Sequence, residues 1–295
     1  MISIIIPAFK EPFMQKTIDS ILKSARGNVE ILPVFDGRSP DKPIKPDSRV
    51  KVIMLKKHMG MRAAINAGIS QAKGKFIMKC DAHCAFGAGF DKILSENCAE
   101  DWVVVPRRYS LDDSKWQRNK NRPYRDYNFI VYPTPNHNKI YGISMSNSDW
   151  TERTEQRQDP KYDIDDNMTF QGSCWMAQKN HFLKQVGFLD DRSETYGPFA
   201  DEYLEIGLKY WLKGSQVKII KKTWYAHLTK MKRHYQAGLF TKKHKNNLAK
   251  NRTWASKHWM NNEEQGLIHP ISWLIEKFWP VPTWPEDRSK WVFSY

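Results

Sequence analysis

An α/β fold with a mostly parallel central sheet, flanked by helices, is predicted by three observations on this chain of 295 residues. Apolar, β-branched runs alternate with stretches whose apolar residues recur at helical spacing over the first third of the chain. The first run, Ile2 to Ile6, is continuous rather than alternating, as expected of a strand covered on both faces. Pro7, Asp36 and Asp81 all fall where predicted strands end, and open α/β sheets gather ligands at the carboxyl ends of their strands.

In chain order, the first strand ends at Pro7, which cannot donate to a ladder. Met14, Ile18, Ile21, Leu22 and Ala25 then mark a helix that runs to Gly27. Val29 to Phe35 reads as a second strand closing on Asp36-Gly37, and Val50 to Leu55 as a third. A helix covers Gly60 to Gln71, Gly74 stops it, and a short strand Phe76 to Met78 leads into Asp81-Ala82-His83. Trp102 to Val105 and Gln216 to Ile220 are further strands, and Leu204, Leu208, Trp211 and Leu212 line one face of the helix between them. Trp273, Phe278, Trp279, Trp284 and Trp291, set among prolines, read as an extended tail packed on the body.

The N-terminal apolar run is too short for a signal peptide or a membrane span, so a cytoplasmic location, in a bacterial or virus-infected host cell, is expected. Cys80, Cys84, Cys98 and Cys174 show no zinc-like pairing, and reduced thiols are the expectation. The net charge of +15 is concentrated: residues 206–262 carry 14 Lys and Arg and no Asp or Glu. Interleaved with Trp224, Tyr225, Tyr235, Phe240, Trp254 and Trp259, these cations suit a polyanion such as nucleic acid. A solubilising surface around a site for an anionic diphosphate is the alternative.

Asp81 and His83 stand at i and i+2 where a strand ends, so their side chains point the same way and can share one divalent cation. A turn with a capping Asp and an exposed His would give the same tripeptide. Neither GxGxxG after the first strand nor GxxxxGK[ST] occurs, which disfavours a dinucleotide site and a P-loop. A metal ion is the other common way to neutralise a diphosphate.

Ile5 to Glu11 (IIPAFKE), Val34 to Pro40 (VFDGRSP) and the ungapped GMRAAINAGISQAKGKFIMKCDAHC resemble the nucleotide-sugar domain of family-2-type glycosyltransferases with the Rossmann-like GT-A fold. Within that group the sequence is most similar to polypeptide N-acetylgalactosaminyltransferases, whose metal motif is also Asp-x-His followed by Cys. Thr169 to Trp175 (TFQGSCW) resembles the small-residue turn before an acceptor-side strand, and Tyr196-Gly197 with Glu202 and Glu205 resembles the family's Trp-Gly-Gly-Glu-Asn-x-Glu segment. His227 in WYAH is similar to the family's third metal ligand.

The resemblance implies a metal-dependent enzyme that moves a sugar from a UDP-sugar to a hydroxyl. Asp81, His83 and His227 would hold Mn2+ or Mg2+. Pro7, Glu11, Asp36, Arg62 and Lys230 would line the donor nucleotide and diphosphate, and Asp201, Glu202 and Glu205 the sugar and acceptor. Residues 1–105 would form the nucleotide-sugar and metal-binding half, 106–230 the acceptor half of the same domain, and 231–295 a basic, Trp-rich, helical and extended extension. Two departures leave the donor sugar and the retaining or inverting course open: a single acid, Asp36, follows the second strand, and Pro198-Phe199-Ala200-Asp201 replaces the family's second Gly. The absence of a following lectin domain or a preceding anchor argues against a secretory-pathway mucin enzyme. The basic segment suggests a modified base in viral DNA as acceptor, with protein or surface glycan as the alternative. A non-catalytic nucleic-acid-binding protein on a degenerate GT-A scaffold would explain the charge but would leave the Asp-His-His set without a purpose.

Overall fold

A computed structural model of the chain describes residues 1–134, 142–229 and 242–292. Its strands are β1 (Ile2–Ala8), β2 (Val29–Phe35), β3 (Ile53–Met54), β4 (Phe76–Cys80), β5 (Cys84–Phe86), β6 (Trp102–Asp112), β7 (Gln117–Arg118), β8 (Asn128–Ile130), β9 (Asn147–Asp149), β10 (Ile164–Asp166), β11 (Cys174–Gln178) and β12 (Gln216–His227). The helices are α1 (Met14–Ser24), α2 (Met61–Gln71), α3 (Phe90–Glu96), α4 (Thr151–Gln156), α5 (Lys179–Gln185), α6 (Glu202–Leu212), α7 (Lys242–Met260) and α8 (Ile271–Lys277).

The main sheet runs β10-β12-β6-β11-β4-β1-β2-β3. β1 pairs in parallel with β2 and β4, β2 with β3, and β6 with β12, whereas β11 is antiparallel to both β4 and β6. The continuous apolar run of β1 is explained by its central place: Ile5 enters the cluster under α2, while Ile4 and Ile6 enter the one under α1. Helix α1 buries Met14, Ile18 and Ile21, and α2 buries Ala64, Ile65, Gly68 and Ile69. Gly68 is the point of closest approach, since a Cβ there would lie 2.3 Å from Ile5 Cγ2.

Several strands extend beyond their sequence-predicted ends. β1 continues through Pro7 to Ala8, because β4 pairs only as far as Ile5 and the missing N–H leaves no ladder partner on that side. β4 continues to Cys80, held by β11. β6 runs on to Asp112, and β12 reaches His227 through an irregularity between Ile220 and Trp224, which places His227 inside the strand rather than after it. The third strand is shorter than expected, Ile53–Met54, with Val50 reduced to an isolated bridge to Ile31. The C-terminal tail is partly helical: α8 packs on Trp211 through Phe278, and Trp284 Nε1 donates to the Ile130 carbonyl at 2.7 Å. No helix among the described residues is long and apolar enough to cross a membrane.

Candidate active site

Three strand ends and one reversal build the site. Asp81 follows β4 directly, anchored by its backbone N–H to the Ser173 carbonyl at 2.9 Å. The chain then turns back as β5, which pairs antiparallel with the end of β12 so that Cys84 lies opposite His227. This reversal sets His83 beside His227. Among the described residues, Asp81, His83 and His227 offer one ligand atom each, all within 4.8 Å of one another. His83 Nε2 lies 3.1 Å from His227 Nε2, which lies 3.0 Å from Asp81 Oδ2. His83 is nearly buried, and Asp81 keeps 22% of its side chain exposed, which leaves an approach from solvent.

The nitrogen of His83 that faces away from the cluster, Nδ1, is 3.0 Å from Glu11 Oε2. A carboxylate there fixes the ring and leaves Nε2 to present its lone pair, the usual support behind a metal-binding imidazole. Glu11, expected beside the nucleotide, thus stands behind His83, with its side chain buried. The donor set of two imidazoles and one carboxylate oxygen suits Mn2+, with Mg2+ less favoured by nitrogen ligands.

Lys79 was not anticipated as a site residue. Its ammonium, buried in β4, lies 2.7 Å from Asp81 Oδ1, 2.6 Å from the Gly172 carbonyl and 3.1 Å from Glu202 Oε1. The available signal was a lysine inside a strand otherwise apolar, FIMKC, where an unpaired charge would not be tolerated. Burial opposes its charge, but the Asp81 and Glu202 carboxylates outweigh it and hold the ammonium above its ordinary pKa. Burial likewise works against ionised Asp81, yet Lys79 and then His227 keep that carboxyl well below the usual range. Cys80, Cys84 and Cys174, buried beneath, have thiol pKa values pushed well up by burial, so they stay protonated and inert, and all four cysteines are free.

The acidic segment divides. Glu202, the first residue of α6, reaches the cluster through Lys79 and lies against Gly172, where a Cβ would come 2.2 Å from Glu202 Oε1. Asp201 is buried with a positive φ of 26°, an uncommon state for a residue with a side chain and one that concentrates at functional sites. Its Oδ1 accepts from Arg252 of α7 at 2.7 Å, whereas its buried Oδ2 has no hydrogen-bond partner among the described residues. Glu205, placed by resemblance at the sugar, is instead fully buried and ion-paired to Arg62 and to Lys209. Arg62, expected on the nucleotide side, is equally buried and also donates to the carbonyls of Asp190 and Ala200. Both side chains are fully buried against each other, so neither borders open space.

Asp36 ends β2 as expected, but its carboxylate is turned onto its own surroundings: the backbone N–H groups of Met59 and Gly60 donate to it at 2.6 and 2.8 Å, and His58 Nδ1 lies at 2.7 Å. It fixes the loop before α2. Pro7 stays half-buried within β1 opposite Val34. Lys230 lies outside the described residues. A cavity of about 250 Å³ opens between residues 193–200 and α7, walled in part by Glu194, Phe199, Asn247 and Asn251.

In the basic segment, four of the described cations pair with acids outside residues 206–262: Lys209 with Glu205, Lys213 with Glu264, Lys218 with Asp166 and Arg252 with Asp201. The run without acids in sequence is therefore not a run without acids in space.

Known proteins share this arrangement of chain. Over 242 residues, 75% of this chain, it is 22% identical to polypeptide N-acetylgalactosaminyltransferase 5 of Caenorhabditis elegans, of which it covers 35%. It is 36% identical over 113 residues to uncharacterized glycosyltransferase EpsJ of Bacillus subtilis (strain 168), covering 36% of this chain and 32% of that protein. The chain thus spans about a third of the length of these curated relatives. The structure of GalNAc-T7 with UDP, GalNAc and Mn2+ superposes with a TM-score of 0.57 at 16% identity, over 77% of this chain and 43% of that one, a likeness that shows the GT-A fold. The model of the family described as glycosyl transferase family 2 matches residues 3–181, well over half of the sequence, and the chain belongs to that family.

Proposed function

We propose that the protein transfers a sugar from a UDP-sugar to a hydroxyl acceptor, with Asp81, His83 and His227 holding Mn2+ or Mg2+. The observation that carries the reading is the convergence of the three ligand atoms within 4.8 Å, with Glu11 braced behind His83. When bound, the cation would neutralise the donor diphosphate and stabilise the departing UDP. The similar GalNAc-T7, solved with UDP, GalNAc and Mn2+, supports this donor class.

The remaining roles fall to the chain's own groups. Asp36 shapes the loop at residues 58–60, which together with Pro7 borders the nucleotide side. Glu202, paired with Lys79, faces the sugar. Asp201 is the group placed to receive the acceptor proton: Arg252 holds one oxygen and the other is buried without a partner among the described residues. A base at that place acting in a single displacement gives inversion at the anomeric carbon. Arg62 and Glu205 act as an internal pair that anchors the segment carrying Asp201 and Glu202.

Lys209, Lys213, Lys218 and Arg252 are paired internally, which supports a protein or surface glycan hydroxyl as acceptor, with a modified DNA base as the second reading on the charge of the segment. Release of UDP from a panel of UDP-sugars, with and without Mn2+, tests the enzyme. Wild type should turn over at least one donor and the Asp81→Ala protein none. No UDP from any donor, with both proteins alike, would return the chain to a non-catalytic role. Labelled-sugar transfer to hydroxymethylated DNA, peptides and simple glycosides separates the acceptors, and transfer to DNA alone would overturn the glycan or protein assignment.

A further inference from the structure

Asp81 divides its two oxygens. Oδ2 faces the imidazoles, 3.0 Å from His227 Nε2 and 3.7 Å from His83 Nε2, while Oδ1 accepts from Lys79 Nζ at 2.7 Å. Lys79 is itself fixed on every side. An ammonium has three protons to donate, and Lys79 has three acceptors in reach: Asp81 Oδ1, the Gly172 carbonyl and Glu202 Oε1. Its side chain is 1% exposed, so it has neither water nor freedom to swing away. Lys79 and Asp81 stand two residues apart across the end of β4, so the cation is built into the strand that delivers the metal-facing carboxylate.

We propose that Lys79 is a resident ammonium that confines Asp81 to one ligating oxygen and, by its charge, makes cation binding depend on the donor diphosphate. The proposal rests on the reading of Asp81, His83 and His227 as the metal centre. Before the donor arrives, an entering cation finds two imidazoles and a carboxylate already half committed to a buried positive charge, which repels it. The diphosphate supplies the negative charge that the chain withholds. The same ammonium ties Glu202 to Asp81, so the sugar-side carboxylate stays in register with the metal side when no cation is bound.

Calorimetric titration of the full chain with MnCl2, without and with UDP and against a UDP-only blank, tests this. Wild type should bind Mn2+ weakly alone and more tightly with UDP. Lys79→Gln should bind Mn2+ alone roughly tenfold or more tighter than wild type, with a smaller gain from UDP. Because that variant leaves two carboxylates facing each other, the double variant K79Q/E202Q, which loses one charge of each sign, is measured beside it, and it should show a smaller tightening, from the nearer charge removed and the freed Asp81 oxygen. Folded K79Q and K79Q/E202Q proteins that bind Mn2+ no more tightly than wild type would overturn the role of Lys79 while leaving the metal centre standing. Failure of wild type to bind Mn2+ with or without UDP would remove the metal centre, and this inference with it.

Discussion

Arg62 of α2 and Glu205 of α6 form an ion pair from which solvent is fully excluded, and it ties α2 to the helix that begins at Glu202. Burial pulls the Arg62 pKa down, opposed by the ring of Tyr196 and the surrounding acids, and the guanidinium is further satisfied by the carbonyls of Asp190 and Ala200. Removing one partner of such a pair strands the other charge, at a cost of about 3–5 kcal/mol. Glu205→Gln should therefore lower the unfolding free energy by that order in denaturant titrations, whereas R62M/E205M should lose much less. If E205Q instead abolished transfer with stability untouched, Glu205 would belong at the sugar after all.

Glu11 predicts a different phenotype. Its buried carboxylate lies against the ring of His83 and accepts from the backbone N–H of Phe13. Substituting the carboxylate behind a ligating imidazole commonly costs roughly 10- to 100-fold in metal affinity. Glu11→Gln should weaken Mn2+ binding by that amount with a melting temperature near that of wild type. Unchanged affinity would show that His83 is oriented without it.

The contrast between Glu11 and Arg62 shows how much the sequence discloses. Strand and helix order over the first eighty residues is written in apolar periodicity, whereas β5 and α3 escape it, and Asp81 and His83 are legible because two residues apart in a strand means one face. His227 is 144 positions from His83, and its partnership comes from the reversal at β5, which no local pattern announces. Glu205 and Arg62 carry the same charges whether they face a substrate or each other; only the tertiary fold, which brings together residues 143 positions apart, decides. The basic stretch is only partly legible for a related reason, since Asp166, Glu264 and Asp201 arrive from other parts of the chain to pair with three of its cations. Lys79 was visible as a charge in a buried strand, but its three acceptors come from three separate segments.

Glu264 gives a pH signature. Burial raises its pKa, yet the hydrogen bonds from His258 and Lys213 hold it down to about 2. A depressed carboxylate stabilises the fold fully above its ordinary value of 4.5, and that contribution fades as pH falls toward 2. With solvent reaching part of the pair, it amounts to about 1 kcal/mol. The stability difference between wild type and Glu264→Gln should be constant above about pH 5 and shrink toward pH 2. A difference that grew on acidification would contradict the pairing with His258 and Lys213.

Gly172 separates positioning from binding. Its carbonyl accepts from Lys79, and its missing side chain makes room for the Glu202 carboxylate: an added Cβ would lie 2.2 Å from Oε1 and 2.7 Å from the carboxyl carbon. The backbone there is not in the left-handed region, so alanine adds a methyl group without conformational strain. Glu202 can yield only by leaving Lys79, which displaces it by about an ångström, and misplacement of that size can lower turnover roughly 100-fold. The metal-facing atoms of Asp81, His83 and His227 do not touch Gly172, so donor binding should persist. Gly172→Ala is accordingly expected to depress kcat while leaving KM for the UDP-sugar and the Mn2+ affinity near wild type. An equal rise in KM with kcat unchanged would place Glu202 in donor binding rather than at the reacting sugar.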